Sequence, residues 1–239
     1  MTQQHLITVI GNLRDCYNQL QPGTMHHVDE LTDERQTNPI DADGTNLRNV
    51  WLYTADGELY HIRNGTPLLS ITRGDVNPVL SRIDDAFTEL TTSGNFRPTP
   101  EEVEQALTSY STVHVDLTKL RLQGDSVEWR YLAVPTKKRH GLRFEEEKLA
   151  RRVFGDSTFN ENREILSEAG ITEPRIYVLA PSYVQQHSRE SPLGRGSWLF
   201  NFNGGSGFGA GVRDIVIRDR SRGVRRVIAE GDAPKNRVP

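Results

Sequence analysis

The chain has 239 residues with 29 basic and 32 acidic side chains, a formal charge of −3. Hydrophobic residues make up 35% and mean hydropathy is −0.59, yet 8 Phe, 7 Tyr and 3 Trp exclude a disordered composition. No run of about 18 apolar residues occurs, so no membrane span is expected, and a single cysteine, Cys16, excludes an internal disulfide or a Cys-rich zinc site.

Thr2 to Ile10 has no basic leader or cleavage signal, and a reducing, cytoplasmic compartment is expected. Charge is uneven along the chain. Residues 1–46 carry two basic and seven acidic side chains, whereas residues 206–239 carry eight basic and four acidic. Only five of the 29 basic residues are lysine, and arginine suits phosphate and carboxylate recognition through its planar fork.

From the N-terminus, His5 to Leu20 has apolar residues near helical spacing, closed by Pro22-Gly23. Residues 23–46 are polar, acidic and rich in turn formers, which predicts a long loop or arm. Val50 to Thr54, Glu58 to Arg63 and Leu68 to Arg73 then read as strands separated by Asp56-Gly57 and Asn64-Gly65. Both dipeptides favour two-residue hairpin turns. Counting outward pairs Tyr53 with Tyr60, Trp51 with Ile62, and Tyr60 with Leu69. One apolar face would then hold Trp51, Tyr53, Tyr60, Ile62, Leu69 and Ile71. Pro67 cannot donate to a ladder and predicts a sheet edge.

Asn77-Pro78 opens a predicted helix ending at Gly94, and Thr99-Pro100-Glu101-Glu102 starts another. Residues 112–135 predict a second hairpin around Gly124-Asp125, with a bulge near Thr118-Lys119 and Arg121 opposite Glu128. Glu145 to Phe154 and Glu161 to Ala169 read as helices closed by Gly155 and Gly170. Ile176 to Leu179 and Trp198 to Phe202 read as strands. Ile215 to Ile217 and Val224 to Ile228 suggest a last hairpin turning near Arg222-Gly223, before a tail from residue 231.

Two constellations carry candidate chemistry. On the second hairpin, His114 and Asp116 share a strand face, and the predicted register adds Glu128 and Arg130. Such a set could perform acid–base work on a phosphoester. The segment 204–211 has five glycines, and Gly205, Gly207 and Gly209 could bring backbone N–H groups to an anion. Arg218, Arg220, Arg222, Arg225 and Arg226 would extend that anion-binding surface on the last hairpin. His26-His27-Val28-Asp29-Glu30 has metal-ligand chemistry, but adjacent loop histidines seldom converge on one ion, and no metal site is expected. No motif names a cofactor.

The expected fold is α+β: a mostly antiparallel sheet built from hairpins, with about five helices packed on one side or end. It forms one domain over 1–239, with a polar arm at 23–46 and an extended tail at 231–239. The expected function is a non-catalytic binding or assembly component, an accessory subunit of a phage, plasmid or defence complex. Its basic C-terminal hairpin would contact an anionic partner. Protein partners or self-association are expected, with nucleic acid as a second partner class. The alternative is a phosphoester-processing or nucleic-acid-modifying enzyme using the His114, Asp116, Glu128 and Arg130 face.

Overall fold

The computed structural model describes residues 5–20, 25–37, 40, 44–50, 52–137, 141–199, 207–210 and 221–227. Its first half contains β1 (His5–Gly11), α1 (Leu13–Leu20), α2 (Val28–Thr37), β2 (Leu52–Arg63), β3 (Thr66–Thr72), α3 (Pro78–Ser81), α4 (Ile83–Ser93) and α5 (Pro100–Thr108). The second half adds β4 (Val113–Asp116), β5 (Trp129–Ala133), α6 (Phe144–Phe154), α7 (Phe159–Glu168) and β6 (Arg175–Leu179). It closes with α8 (Pro181–His187), β7 (Leu193–Leu199), β8 (Gly207–Ala210) and β9 (Ser221–Val227). The class is α+β with mostly antiparallel pairing, as expected. The described residues hold eight α-helices rather than about five.

The strands run in the order β1-β9-β2-β7-β8-β6-β5, and β3 joins β2 and carries β4. Strand β2 is the axis of this arrangement. Asp56-Gly57 does not turn; the strand continues for 12 residues, with a register irregularity between Tyr53 and Gly57 against β7. Leu52 and Tyr53 lie between β9 and β7, whereas Gly57 to Tyr60 lie between β3 and β7. The predicted pairing of Tyr53 with Tyr60 is therefore absent, and Trp51 lies outside the described residues.

The irregular stretch keeps its backbone satisfied by partners from elsewhere. Ala55 N donates to His26 O at 2.8 Å, and Ala55 O accepts from Asn77 Nδ2 at 3.0 Å. Gly57 lacks the positive φ of a hairpin turn. It serves a close approach instead, because a Cβ there would stand 2.2 Å from Asn77 Oδ1. That same oxygen accepts from Val79 N at 3.0 Å and caps α3. Gly57→Ala is expected to cost about 1–3 kcal/mol by overpacking. Urea denaturation checks this, and a change below about 0.5 kcal/mol would be a surface-like response.

The second turn and the edge reading of the first meander hold, but its single apolar face does not, because Tyr53 packs in one core and Tyr60, Leu69 and Ile71 in the other. Asn64 (φ 51°) and Gly65 (φ 78°) form the turn, and Tyr60 pairs with Leu69. Pro67 sits opposite Ile62, one residue before the ladder to β4 begins at Leu68 and Asp116. Both faces of β2 are covered. Leu52 and Tyr60 join Leu69, Ile71 and Val115 in one core, while Tyr53 and Ala55 join Leu13, Cys16, Val79 and Leu80 in the other. Continuous burial, rather than alternation, is what two-sided packing produces.

Elsewhere the structure corrects the expected elements. The opening segment is β1 followed by α1, because Ile7 to Ile10 are β-branched and pair with β9. The 23–46 arm contains α2, whose buried side is Val28, Leu31, Thr32 and Arg35. Half of that side is polar, so no apolar periodicity marked it. Gly94 ends the second predicted helix, but Arg82 (φ −131°, ψ 53°) divides it into α3 and α4. The capping box of Thr99 and Glu102 is present at α5.

The second hairpin does not close as a ladder. Strand β4 pairs with β3 and β5 pairs with β6; Gln123 and Tyr131 alone bridge the two arms among the described residues. Where a bulge was expected, Leu117–Lys119 make a 3-10 turn, with Asp116 accepting from Thr118 N at 3.0 Å. Part of the glycine-rich loop is strand β8, seated between β7 and β6. Arg222-Gly223 is not a turn but the interior of β9, where Gly223 lies opposite both Val9 and Tyr53. Glycine and arginine have little strand propensity, so this pairing is imposed by flanking strands. Residues 215–217 and the 231–239 tail lie outside the described residues.

Candidate functional site

The four side chains expected to act together fall on two ladders, His114 and Asp116 on β4 and Glu128 and Arg130 at the start of β5, each with its own partner. His114 Nδ1 lies 2.8 Å from Ser70 Oγ, and Asp116 takes Thr118 Oγ1 at 2.7 Å and Lys119 Nζ at 3.3 Å. Glu128 holds Arg195 Nη2 at 2.5 Å, while Arg130 donates to the carbonyl of Ser126. Arg121 meets Glu146 instead of Glu128, at 2.5 Å. The cause is topological: β4 and β5 belong to different ladders. The anion-binding set is divided too. Gly207 and Gly209 lie in β8, whereas Arg222, Arg225 and Arg226 lie in β9 opposite Ile10, Ile7 and Leu6, with β2 and β7 between the two strands. Gly205, Arg218 and Arg220 lie outside the described residues.

His114 belongs to a three-member chain that sequence reading missed. Ser70 Oγ stands between His61 Nε2 at 2.9 Å and His114 Nδ1 at 2.8 Å. A hydroxyl has one hydrogen, so it donates to one ring and accepts from the other. Burial, with the neighbouring His114 and Arg63, takes His61 down to about 4, and burial also lowers His114. Both rings are thus neutral at pH 7, and Ser70 is fully buried, so no substrate reaches this hydroxyl.

The densest ionic arrangement lies at the irregular stretch of β2. Asp56 is fully buried and its Oδ2 accepts from Val28 N at 2.6 Å, the first residue of α2. Its Oδ1 holds Arg152 Nη2 of α6 at 3.0 Å, and His27 Nδ1 lies 3.5 Å from Oδ2. Burial pulls the His27 imidazole down, but the Asp56 carboxylate 3.5 Å away outweighs it and the net shift is upward. His26 turns to a different carboxylate, Glu30, at 3.0 Å, and that contact with the His27 N–H holds Glu30 at about 2. Arg73 completes the group by pairing with Asp29 at 2.5 Å.

Two cavities open beside this group. One of about 540 Å³ is lined by Tyr17, Met25, His27, Asp75 and Leu80. The other, of about 290 Å³, is lined by Asp29, Arg73, Lys148, Arg151 and Arg152. Neither is visible in the sequence, because Asp56-Gly57 carries a turn signal. Arg152 could have signalled burial through its position between Ala150 and Val153 on the core side of α6.

A second buried polar group ties β2 to β7. The Tyr60 hydroxyl donates to Glu58 Oε2 and accepts from Leu179 N at 3.3 Å, and Ser197 Oγ donates to Glu58 Oε1 at 3.4 Å. Arg195, opposite Glu58 in the ladder, is 1% exposed. It reaches Asn95 Oδ1 at 2.7 Å and Glu128, and lies 4.7 Å over the Trp129 ring. Burial raises the Glu58 carboxyl to about 8 despite these partners, so it is protonated at pH 7.

No family model matches the chain, and no curated protein matches it. A solved structure described as "Accommodation of massive sequence variation in Nanoarchaeota by the C-type lectin fold" is similar, with a TM-score of 0.59. The identity is 15%, and the match covers 94% of this chain and 98% of that one. The likeness is one of fold. No helix among the described residues is long and apolar enough to cross a membrane.

Proposed function

We propose that this chain is a non-catalytic binding or assembly component, a C-type-lectin-like frame that carries recognition on its outer surface. The observation that supports this most is the fold likeness over nearly the whole of both chains, to a structure whose description speaks of accommodating massive sequence variation. The frame has a property such a role needs. Its polar ties lie inside, from Asp56 to α2 and α6 and from Glu58 to Tyr60 and Ser197. Exposed positions away from them can change at a typical cost within about ±0.5 kcal/mol.

The enzyme reading loses support from the dispersal of His114, Asp116, Glu128 and Arg130. A protein partner or a second copy is the first occupant we expect, and nucleic acid the second. The buried Cys16 thiol, which donates to Gly11 O at 3.5 Å, fits a cytoplasmic setting. Light scattering on the purified chain, alone and with labelled DNA or RNA, tests the reading. A mass above the 27.0 kDa protomer, or a nucleoprotein complex without cleavage, is the expected result. A monomer that cleaves the labelled strand with Mg²⁺, and stops on His114→Ala, would overturn it.

A further inference from the structure

The 540 Å³ cavity beside His27 has the make-up of a small-molecule site, an apolar lining with a few polar groups. Met25, Ala55 and Leu80, members of one core, supply the apolar lining, together with the half-buried Tyr17. No lysine or arginine lines it among the described residues, and Asp75 supplies its one carboxylate. The charges on its walls are therefore those of Asp75 and His27.

Both groups are open to a ligand. The His27 side chain is 23% exposed, and its buried Nδ1 is turned to Asp56 Oδ2 at 3.5 Å. The accessible part of the ring is thus its other edge, which carries Nε2. Among the described residues neither Nε2, the Tyr17 hydroxyl nor the exposed Asp75 carboxylate has a hydrogen-bond or ion-pair partner. The imidazole and the carboxylate are neighbours, because a Cβ on Gly74, the residue before Asp75, would stand 3.5 Å from His27 Cε1. Asp56 of β2, Glu30 of α2 and Arg73 after β3 are the charges that face the imidazole. Burial and Arg73 disfavour its charged form, and Asp56 with Glu30 outweighs them. His27 thus offers a charged N–H donor beside the Asp75 anion.

We propose that this cavity binds a free α-amino acid with a large apolar side chain. Its carboxylate meets His27 Nε2, its ammonium group meets Asp75, and its side chain lies on Met25, Ala55 and Leu80 beside Tyr17. An α-amino acid carries the two complementary charges on one carbon, which suits two wall groups that stand side by side. The cavity has room for about 18 water volumes at ~30 Å³ each, and tryptophan has about 15 non-hydrogen atoms. The inference goes beyond the recognition surface proposed above and does not rest on it.

Isothermal titration of the full chain at about pH 6, where the imidazole is charged, tests it with four probes: L-tryptophan, tryptamine, indole-3-propionate and glycine. The expected result is saturable binding of L-tryptophan at one site per chain, about fivefold tighter than tryptamine or indole-3-propionate, with glycine silent. Asp75→Asn alters an exposed side chain and leaves the fold intact. It is expected to weaken L-tryptophan about three- to fivefold, the scale of an exposed ion pair, and to leave indole-3-propionate unchanged. Absence of saturable L-tryptophan binding overturns the proposal. So does tryptamine or indole-3-propionate binding as tightly as the amino acid, or an Asp75→Asn variant that binds L-tryptophan as the wild type does.

Discussion

Asp56→Ala is expected to lower stability by about 3–5 kcal/mol, the cost of stripping one partner from a buried ion pair. The carboxylate is fully buried, so its loss leaves Arg152 charged, 8% exposed and without Asp56. It also leaves Val28 N, the start of α2, without its 2.6 Å acceptor. Water is kept out by packing on both faces of β2, so solvent replaces neither bond cheaply. Urea denaturation gives the number. Pairing the change with Arg152→Met separates the causes: an apolar residue of similar length removes the orphaned charge, and the double variant should regain much of the loss. Simple additivity of the two losses would mean that the pair is not coupled.

Glu58→Gln is expected to stabilise the protein at alkaline pH, by on the order of 4 kcal/mol at pH 8. Burial raises the Glu58 carboxyl to about 8, against an ordinary value of 4.5. The folded chain therefore keeps a proton that the unfolded chain releases. A raised carboxyl contributes stability that is fully present below 4.5 and declines as pH rises to about 8, at ~1.36 kcal/mol per unit. Glutamine is neutral throughout, and its amide can still accept from Tyr60 and face Ser197. The two proteins should thus be close in stability near pH 4.5 and diverge steadily to pH 8. His61, lowered to about 4, adds stability as pH rises from about 4 to 6.5, but equally in both proteins. Thermal melts across that range check the difference, and parallel curves would show that Glu58 does not titrate in this window.

Local chemistry was legible where it acts over a few residues. The Asn64-Gly65 turn, the Thr99 and Glu102 capping box, the stop at Gly94 and helices α6 and α7 follow from positive φ, side-chain caps and helical periodicity. The site residues were not legible in this way. Asp56-Gly57 carries the same turn signal as Asn64-Gly65, yet Asp56 serves Val28 and Arg152, 28 and 96 residues away, and Gly57 makes room for Asn77. Arg35, Arg152 and Arg195 look like surface charges in sequence, yet Arg35 and Arg195 are buried and the Arg152 side chain is only 8% exposed.

The α+β class, the turn that pairs β2 with β3 and the caps that start and stop helices are written in the order of amino acids alone. Those signals depend on backbone preference and on spacing within one element. Which strands lie side by side, and therefore which charges meet, follows from packing between elements far apart in the chain. It placed His114 on β3's ladder and Glu128 beside Arg195, and it filled a break in β2 with a buried carboxylate. Burial is a property of everything packed around a residue, and it converted an expected turn aspartate into the ionic centre of the fold.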